Sequence, residues 1–130
     1  MKVLLDTCAF LWLVTNDTGH LTETATGTFL NGDNEIFFSI VSAWEISIKA
    51  GIGKLDVPLP VHNFLTEQIR LNELSVLPVE LSHVTKVSEL PFHHKDPFDR
   101  LLIAQAMIEG IPILTGDSFF DSYDVRTIWE

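Results

Sequence analysis

The sequence predicts a three-layer α/β/α sandwich with a central, mainly parallel sheet of five strands. Short apolar segments alternate with longer segments in which apolar residues recur at helical spacing, which is typical of a parallel sheet covered by helices on both faces. The chain has 130 residues, of which 46% are hydrophobic, and this is enough for one packed core. We therefore treat residues 1–130 as a single domain.

Five short apolar segments, each bounded by polar or turn-forming residues, have the length and composition of strands. The last of them is predicted to lie at an edge of the sheet. The predicted strands are Lys2–Leu5, Glu35–Ser39, Leu74–Val79, Ile111–Thr115 and Val125–Trp129.

Six amphipathic segments are predicted as helices, and the clearest of them begins at Pro97. Asp96 is a good N-cap, proline suits the first helical position, and Gly110 follows the predicted end. The predicted helices are Thr7–Val14, Leu21–Leu30, Val41–Ala50, Val61–Asn72, Leu81–Leu90 and Pro97–Glu109.

The charge balance argues against general affinity for nucleic acid. Eight basic residues against eighteen acidic ones give a net charge of −10, whereas such affinity normally comes from clustered Lys and Arg. Any contact with nucleic acid must therefore be local, or be carried by bound cations or a second subunit. A concentration of acids is also what a hard metal ion requires.

The remaining composition points to the cytoplasm. No apolar run is long enough to span a membrane, and Asp6 interrupts the N-terminal apolar segment too early for a signal peptide. The only cysteine, Cys8, excludes a disulfide framework and suits a reducing compartment. Because Cys8 lies in an apolar stretch without a basic neighbour, we expect it to fill the core rather than act as a nucleophile.

Four acids are predicted near the carboxyl ends of the strands, where ligands bind in parallel sheets. Asp6 ends the first strand, Asp117 follows the fourth, Glu45 lies in a helix, and Asp99 occupies the first turn of another helix. Each has an ordinary structural explanation as a cap, a turn residue or, for Glu45, an ion pair with Lys49.

Together, these acids predict a metal site. Like charges held close must protonate or bind a cation, and Mg²⁺ or Mn²⁺ accepts oxygen ligands and water. Such an ion activates water for attack on a phosphodiester. The chain has no P-loop, GxGxxG, CxxC or GxSxG motif. We interpret its five histidines as mostly structural or surface residues, with His94 the best placed to touch a substrate.

The order and spacing of four motifs resemble those of a PIN domain and, more narrowly, of the VapC toxins of type II toxin–antitoxin systems. The resemblance runs from Lys2 to about Trp129. The motifs are Asp6-Thr7 after the first strand, Ser42-x-x-Glu45, Asp96-Pro97-Phe98-Asp99-Arg100-Leu101-Leu102-Ile103-Ala104, and Thr115-Gly116-Asp117.

This resemblance implies a metal-dependent single-strand endoribonuclease with Mg²⁺ or Mn²⁺ as cofactor. It also implies homodimers and a small antitoxin protein, a segment of which fills the acidic groove. Matched by position, Asp6, Glu45 and Asp99 are the three core acids and Asp117 the more variable fourth. The polar residues that would line the site are Thr7, Ser42 and Thr115.

Asp96 complicates the assignment because it is also acidic and lies one helical turn before Asp99. Either Asp96 or Asp99 could lead metal binding. We favour Asp99, since it precedes Leu101–Ala104 at the spacing of the family.

A few cations near the acids are predicted to contact RNA phosphates, namely Lys49, Lys54, Lys95 and Arg100. For Lys49 and Arg100 the alternative is an ion pair with a nearby acid. We also expect a homodimer, because Trp12, Trp44, Phe64 and the helix Val61–Asn72 supply more large apolar groups than one small core holds.

Other classes fit less well. A receiver-type phosphoacceptor requires paired acids after the first strand, where Thr7 follows Asp6, and a lysine after a late strand, where none follows Lys95. A haloacid-dehalogenase phosphatase requires Asp-x-Asp, but position 8 is Cys8. The serious alternative is a non-catalytic PIN-like module that binds RNA or a protein partner.

Overall fold

A computed structural model describes all residues from 1 to 130 and contains five strands and six α-helices. The strands are β1 (Lys2–Leu5), β2 (Glu35–Ser39), β3 (Ser75–Leu77), β4 (Ile113–Leu114) and β5 (Thr127–Ile128). The helices are α1 (Thr7–Val14), α2 (Glu23–Leu30), α3 (Ile40–Gly51), α4 (Val61–Leu71), α5 (Leu81–Lys86) and α6 (Pro97–Glu109). Short 3₁₀ turns lie at Val87–Glu89 and Ser118–Ser122.

The strands form one sheet in the order β3-β2-β1-β4-β5, and every neighbouring pair is parallel. In the centre, Leu4 of β1 lies between Phe37 of β2 and Ile113 of β4. The carboxyl ends of β1, β2 and β4 therefore meet at one edge of the sheet. This arrangement confirms the predicted parallel sheet.

Side chains that alternate along β1 enter two separate cores, one on each face of the sheet. Val3 and Leu5 pack in a cluster that includes Phe10 of α1 and Phe64 of α4. Leu4 packs on the other face, in a cluster built largely from α6. The three layers predicted from the sequence are confirmed.

Local capping sets the bounds of α6 where the sequence placed them. The Asp96 carboxylate accepts hydrogen bonds from the N–H groups of Phe98 at 2.8 Å and Asp99 at 3.0 Å, Pro97 occupies the first helical position, and Gly110 adopts a left-handed conformation with φ 67°. These are the features that start and stop a helix.

Other bounds differ from the prediction because tertiary contacts set them. Helix α2 begins two residues later than predicted, since the Thr22 hydroxyl caps it by accepting the N–H of Ala25. The predicted helix Leu81–Leu90 ends at Lys86 and continues as a 3₁₀ turn. Strands β3, β4 and β5 are shorter than their apolar segments, because only paired residues belong to the ladder.

Two predictions about single residues are wrong. Cys8 is exposed rather than buried in the core, because the first turn of α1 turns this side toward the sheet edge. Phe64 is only 9% exposed and packs in the core, because α4 lays its apolar side on the sheet; it is therefore not a surface group for a dimer. No helix is both long enough and apolar enough to cross a bilayer.

Candidate metal and active site

The four predicted acids line one cavity of about 280 Å³ at the carboxyl edge of the sheet. Asp6 follows β1, Asp117 follows β4, Glu45 projects from α3, and Asp99 lies in the first turn of α6. The residues that line the cavity are Asp6, Thr7, Cys8, Trp12, Glu45, Lys49, Asp96, Asp99, Gly116 and Asp117.

Asp6 is buried and held by two hydrogen bonds. Its carboxylate caps α1 by accepting the N–H of Ala9 at 2.6 Å, and the Thr115 hydroxyl donates to its other oxygen at 2.5 Å. Burial raises the pKa of Asp6 to about 6, against the lowering effect of these bonds, and the charges of Asp117 and Glu45 add to the rise. Asp6 therefore both caps α1 and lines the cavity.

Glu45 is also buried, and its two oxygens have different partners. The Thr7 hydroxyl donates to Oε1 at 2.6 Å, and the Lys49 ammonium lies 2.5 Å from Oε2. Oγ1 of Thr7 lies 2.9 Å from Oγ of Ser42, so Ser42 supports this acid through Thr7. The ion pair predicted as the alternative for Lys49 is present, and it raises the pKa of that lysine.

The pKa of Asp99 is raised further than that of Asp6. Burial, and then the charge of Asp96, raise the pKa of Asp99 to about 7, with smaller contributions from Asp6 and Glu45. A hydrogen bond of 2.8 Å to Nε2 of His94 opposes this rise. Asp96 has one oxygen committed to the cap of α6, and Asp99 has one oxygen bonded to His94, so each carboxylate keeps one oxygen without a partner in the protein.

Asp117 completes the cluster. Its Oδ1 accepts the N–H of Phe119 at 2.9 Å, and its Oδ2 lies 3.9 Å from Nε2 of His94. Ligand atoms of His94, Asp99 and Asp117 all lie within 4.8 Å of one another. Spacing along the chain does not single out His94 as a neighbour of both acids, because it lies in the loop before α6, where no periodicity indicates direction.

The loop before Asp117 requires a glycine. A Cβ atom on Gly116 would lie 2.8 Å from the Trp129 ring, which is closer than carbon atoms pack. Trp129 in turn lies 6.0 Å from Trp12, which stacks on His20 at 4.5 Å. Of these rings, Trp12 lines the cavity, and the sequence did not indicate this.

The predicted RNA-binding cations lie in different environments. Lys49 lines the cavity, while Lys54 and Lys95 are exposed nearby in the chain. Arg100 contradicts the prediction: it is 8% exposed and its guanidinium donates to the carbonyls of Val87 and Pro91 at 3.1 and 3.0 Å. Arg100 follows Asp99 by one residue, which rotates its side chain by about 100° around the helix axis and points it inward. Its guanidinium therefore bonds backbone carbonyls and pairs with no acid.

The donor set fits a hard divalent ion. Its oxygens are those that Mg²⁺ and Mn²⁺ prefer, and the raised pKa values of Asp6 and Asp99 show that the metal-free cavity disfavours its own negative charge. The exposed Cys8 at the rim is a poor ligand, since partial burial of its sulfur and the neighbouring carboxylates raise the pKa of the thiol to about 11.

Residues 3–126 match the family model of the PIN domain. Because this match spans nearly the whole chain, the chain belongs to the PIN domain family. PIN domains are nucleases, and membership therefore supports nuclease activity. A comparison with curated protein sequences gives no match.

Three solved structures share this fold. The chain is similar to VapBC2 from Rickettsia felis bound to a promoter DNA fragment, with a TM-score of 0.72, 16% identity and 100% of each chain covered. It is also similar to VapBC-1 from nontypeable Haemophilus influenzae, with a TM-score of 0.65 and 16% identity over 98% of this chain and 96% of that chain. The similarity to FitAcB from Neisseria gonorrhoeae has a TM-score of 0.58 and 16% identity, and it covers 96% of this chain and 95% of that chain. At this identity, the similarity establishes the fold.

Proposed function

We propose that this chain is a metal-dependent single-strand endoribonuclease and the toxin of a type II toxin–antitoxin pair. The observation that carries the proposal is the meeting of four carboxylates from four separate segments in one cavity of a PIN domain. Burial raises the pKa of two of these carboxylates, Asp6 and Asp99. A cluster that served only to cap helices would not need to converge.

Asp6 and Asp99 would hold Mg²⁺ or Mn²⁺ directly, and Glu45 and Asp117 directly or through water. When bound, such an ion supplies an activated water and stabilises the charge that develops on a phosphodiester. The ion also explains why four acids are tolerated at one site, because it relieves their mutual repulsion.

Hydroxyl groups of this chain fix the carboxylates that would bind the ion. Thr115 holds one oxygen of Asp6, and Thr7 holds one oxygen of Glu45 with Ser42 behind it. Side chains locked in this way lose little further entropy when the site closes on a ligand. These three residues would therefore orient the site rather than react.

RNA would be held by the few available cations. Lys49 lines the cavity and is half-buried, while Lys54 and Lys95 are exposed. With a net charge of −10, the protein gains little from long-range attraction, so these local contacts would matter more than their number suggests.

The proposed protein partner is an antitoxin with a basic segment. Two of the similar structures are VapBC2 and VapBC-1, and an acidic cavity attracts a segment rich in Lys or Arg. Such a segment would block the site that RNA needs. A small neighbouring reading frame with a DNA-binding N-terminal part would support this assignment.

The proposed activity is tested with labelled single-stranded RNA, double-stranded RNA and single-stranded DNA in Mn²⁺, in excess EDTA, and after Mn²⁺ is restored. We expect internal cleavage of single-stranded RNA, its loss in EDTA, and its recovery with metal. Metal-dependent binding without cleavage of any substrate would contradict the proposal and favour the non-catalytic alternative. Cleavage of DNA alone would contradict the substrate class.

A further inference from the structure

We propose that His94 is a nitrogen ligand of the divalent ion, so that the site binds Mn²⁺ in preference to Mg²⁺. This inference rests on the proposed function, because it takes the same cavity as the metal site. It adds a ligand that is not a carboxylate, and this ligand would set which divalent ion the site prefers.

The geometry supports coordination. Nε2 of His94 lies 2.8 Å from Oδ2 of Asp99 and 3.9 Å from Oδ2 of Asp117, and the ligand atoms of the three residues fall within 4.8 Å of one another. Donors around an octahedral ion at about 2.1 Å lie roughly 3 to 4.2 Å apart. Small shifts, outward for the pair at 2.8 Å and inward for any pair wider than about 4.2 Å, would bring all three atoms into range.

The ring of His94 is held in this direction by the protein. It stacks on Phe119 at a centroid distance of 5.1 Å and an angle of 11°, and its side chain is only 17% exposed. The backbone N–H groups of His93 and His94 both donate to the Tyr123 hydroxyl, at 3.1 and 2.9 Å. The loop is thus fixed before any ion arrives, as expected for a ligand rather than for a surface histidine.

The two ring nitrogens have different surroundings. Nε2 faces the two carboxylates, whereas no hydrogen bond from Nδ1 to the protein is present. Nε2 of His94 and Oδ2 of Asp99 share a hydrogen bond of 2.8 Å. For coordination, the Nε2 lone pair would face the ion and the ring proton would reside on Nδ1. One imidazole would then join an otherwise oxygen-based set.

A nitrogen donor changes which ion the site prefers. Mg²⁺ requires oxygen ligands and retains water, while imidazole favours first-row transition ions, whose affinities rise from Mn²⁺ toward Cu²⁺. A site made of carboxylates alone discriminates weakly between Mg²⁺ and Mn²⁺. With His94 as a ligand, Mn²⁺ should bind more tightly than Mg²⁺, and this difference should depend on His94.

The test is pulsed electron paramagnetic resonance of the full-length protein loaded with one equivalent of Mn²⁺, together with calorimetric titrations of Mn²⁺ and Mg²⁺. The variants are His94→Gln and, as a matched control one residue away, the exposed His93→Gln. We expect ¹⁴N coupling to Mn²⁺ in the wild type and in His93→Gln but not in His94→Gln. We also expect His94→Gln to lose Mn²⁺ affinity by at least about 10-fold, since losing even an outer-shell partner of a ligand costs that much, with little change for Mg²⁺.

The outcomes separate this inference from the proposed function. Tight Mn²⁺ binding without ¹⁴N coupling, or equal losses for Mn²⁺ and Mg²⁺ in His94→Gln, would overturn the ligand role of His94 and leave the carboxylate site intact. Coupling that persists in His94→Gln would likewise overturn it. If the wild type binds neither ion, the metal site of the proposed function fails as well. Circular dichroism of His94→Gln shows whether that variant folds.

Discussion

At the scale of single residues, the site depends on carboxylates that have two roles each. Asp6 caps α1 and lines the cavity, and Asp117 caps a 3₁₀ turn while facing His94. Arg100 shows the converse, because a charge that the sequence placed beside the site instead satisfies carbonyl groups in the interior. The direction in which a side chain points, rather than its position in the chain, decides whether it can act in the cavity.

The metal-free protein should lose stability as pH rises. Folding raises the pKa of Asp6 to about 6 and that of Asp99 to about 7, from an ordinary value of 3.8. The folded state therefore binds these protons more tightly than the unfolded state, so the stabilisation is complete below pH 3.8 and is lost as pH rises through 6 and 7. Melting in EDTA at pH 5.5 and pH 8 measures this loss.

The variant Asp99→Asn isolates one of the two groups. It should raise the free energy of unfolding at pH 8 by on the order of 2 kcal/mol and flatten the pH dependence. The control Asp33→Asn, in the exposed turn before β2, should change neither the free energy of unfolding at pH 8 nor its pH dependence. A wild type that is as stable at pH 8 as at pH 5.5, with no gain in Asp99→Asn, would contradict the penalty that burial and neighbouring charges place on these carboxylates.

The lysines near the cavity should set the salt dependence of RNA binding. In Ca²⁺, which is expected to hold RNA without cleavage, Lys49→Ala, Lys54→Ala and Lys95→Ala should each reduce the slope of log affinity against log salt by about one unit. Lys2→Ala is the control, because Lys2 begins β1 at the opposite edge of the sheet. Unchanged slopes in all three variants would place RNA elsewhere on the protein.

At the scale of elements, α3 and α6 are joined through a buried polar link. The Ser39 hydroxyl, which caps α3 by accepting the N–H of Val41 at 3.0 Å, donates to Oε1 of Gln105 on α6 at 2.5 Å. The amide of Gln105 donates in turn to the Pro78 carbonyl at 3.2 Å. This link fixes the start of the helix that carries Glu45.

Gln105→Leu should destabilise the protein by about 1–3 kcal/mol, because it leaves the Pro78 carbonyl without its donor. Urea unfolding measures the effect. The control Gln68→Leu changes a half-buried glutamine of α4 whose side chain bonds only Asn72 of the same region, and it should have little effect. Equal losses in the two variants would show that the link contributes nothing specific.

The elements also show what the sequence could predict. The bounds of α6 were predicted because its start and stop signals are local, in Asp96, Pro97 and Gly110. The segment Ile111–Thr115 was too long as a strand, because pairing with β1 and β5 decides where the ladder ends. The direction of His94 and the exposure of Cys8 depend on contacts between distant segments, which spacing along the chain does not encode.

At the scale of the whole molecule, α3 leaves an apolar stripe uncovered. Its members recur every four residues and are 43%, 55%, 39% and 62% exposed; they are Ile40, Trp44, Ile48 and Ile52. A continuous apolar face of this kind usually marks a protein contact. Trp44 thus remains a surface group for the expected homodimer, whereas Phe64 does not.

Sedimentation of the wild type should show a dimer at micromolar concentration. The double variant Ile48→Glu, Ile52→Glu should sediment as the monomer of 14.6 kDa, because each glutamate would bury a charge in the proposed contact. Leu30→Glu is the control, since Leu30 is 72% exposed but lies on α2 away from the stripe. A wild type that sediments as a monomer would contradict the dimer, and a double variant that stays dimeric would contradict its location.

The central claim is that the acid cluster drives metal-dependent cleavage of RNA. The most direct measurement is the single-turnover cleavage rate of single-stranded RNA at saturating protein and millimolar Mn²⁺, for the wild type, Asp99→Asn and the control Asp33→Asn. We predict that Asp99→Asn lowers the rate at least about 100-fold, or roughly 2.7 kcal/mol of barrier, while still folding and binding RNA, and that Asp33→Asn matches the wild type. Cleavage by Asp99→Asn at the wild-type rate would contradict the account.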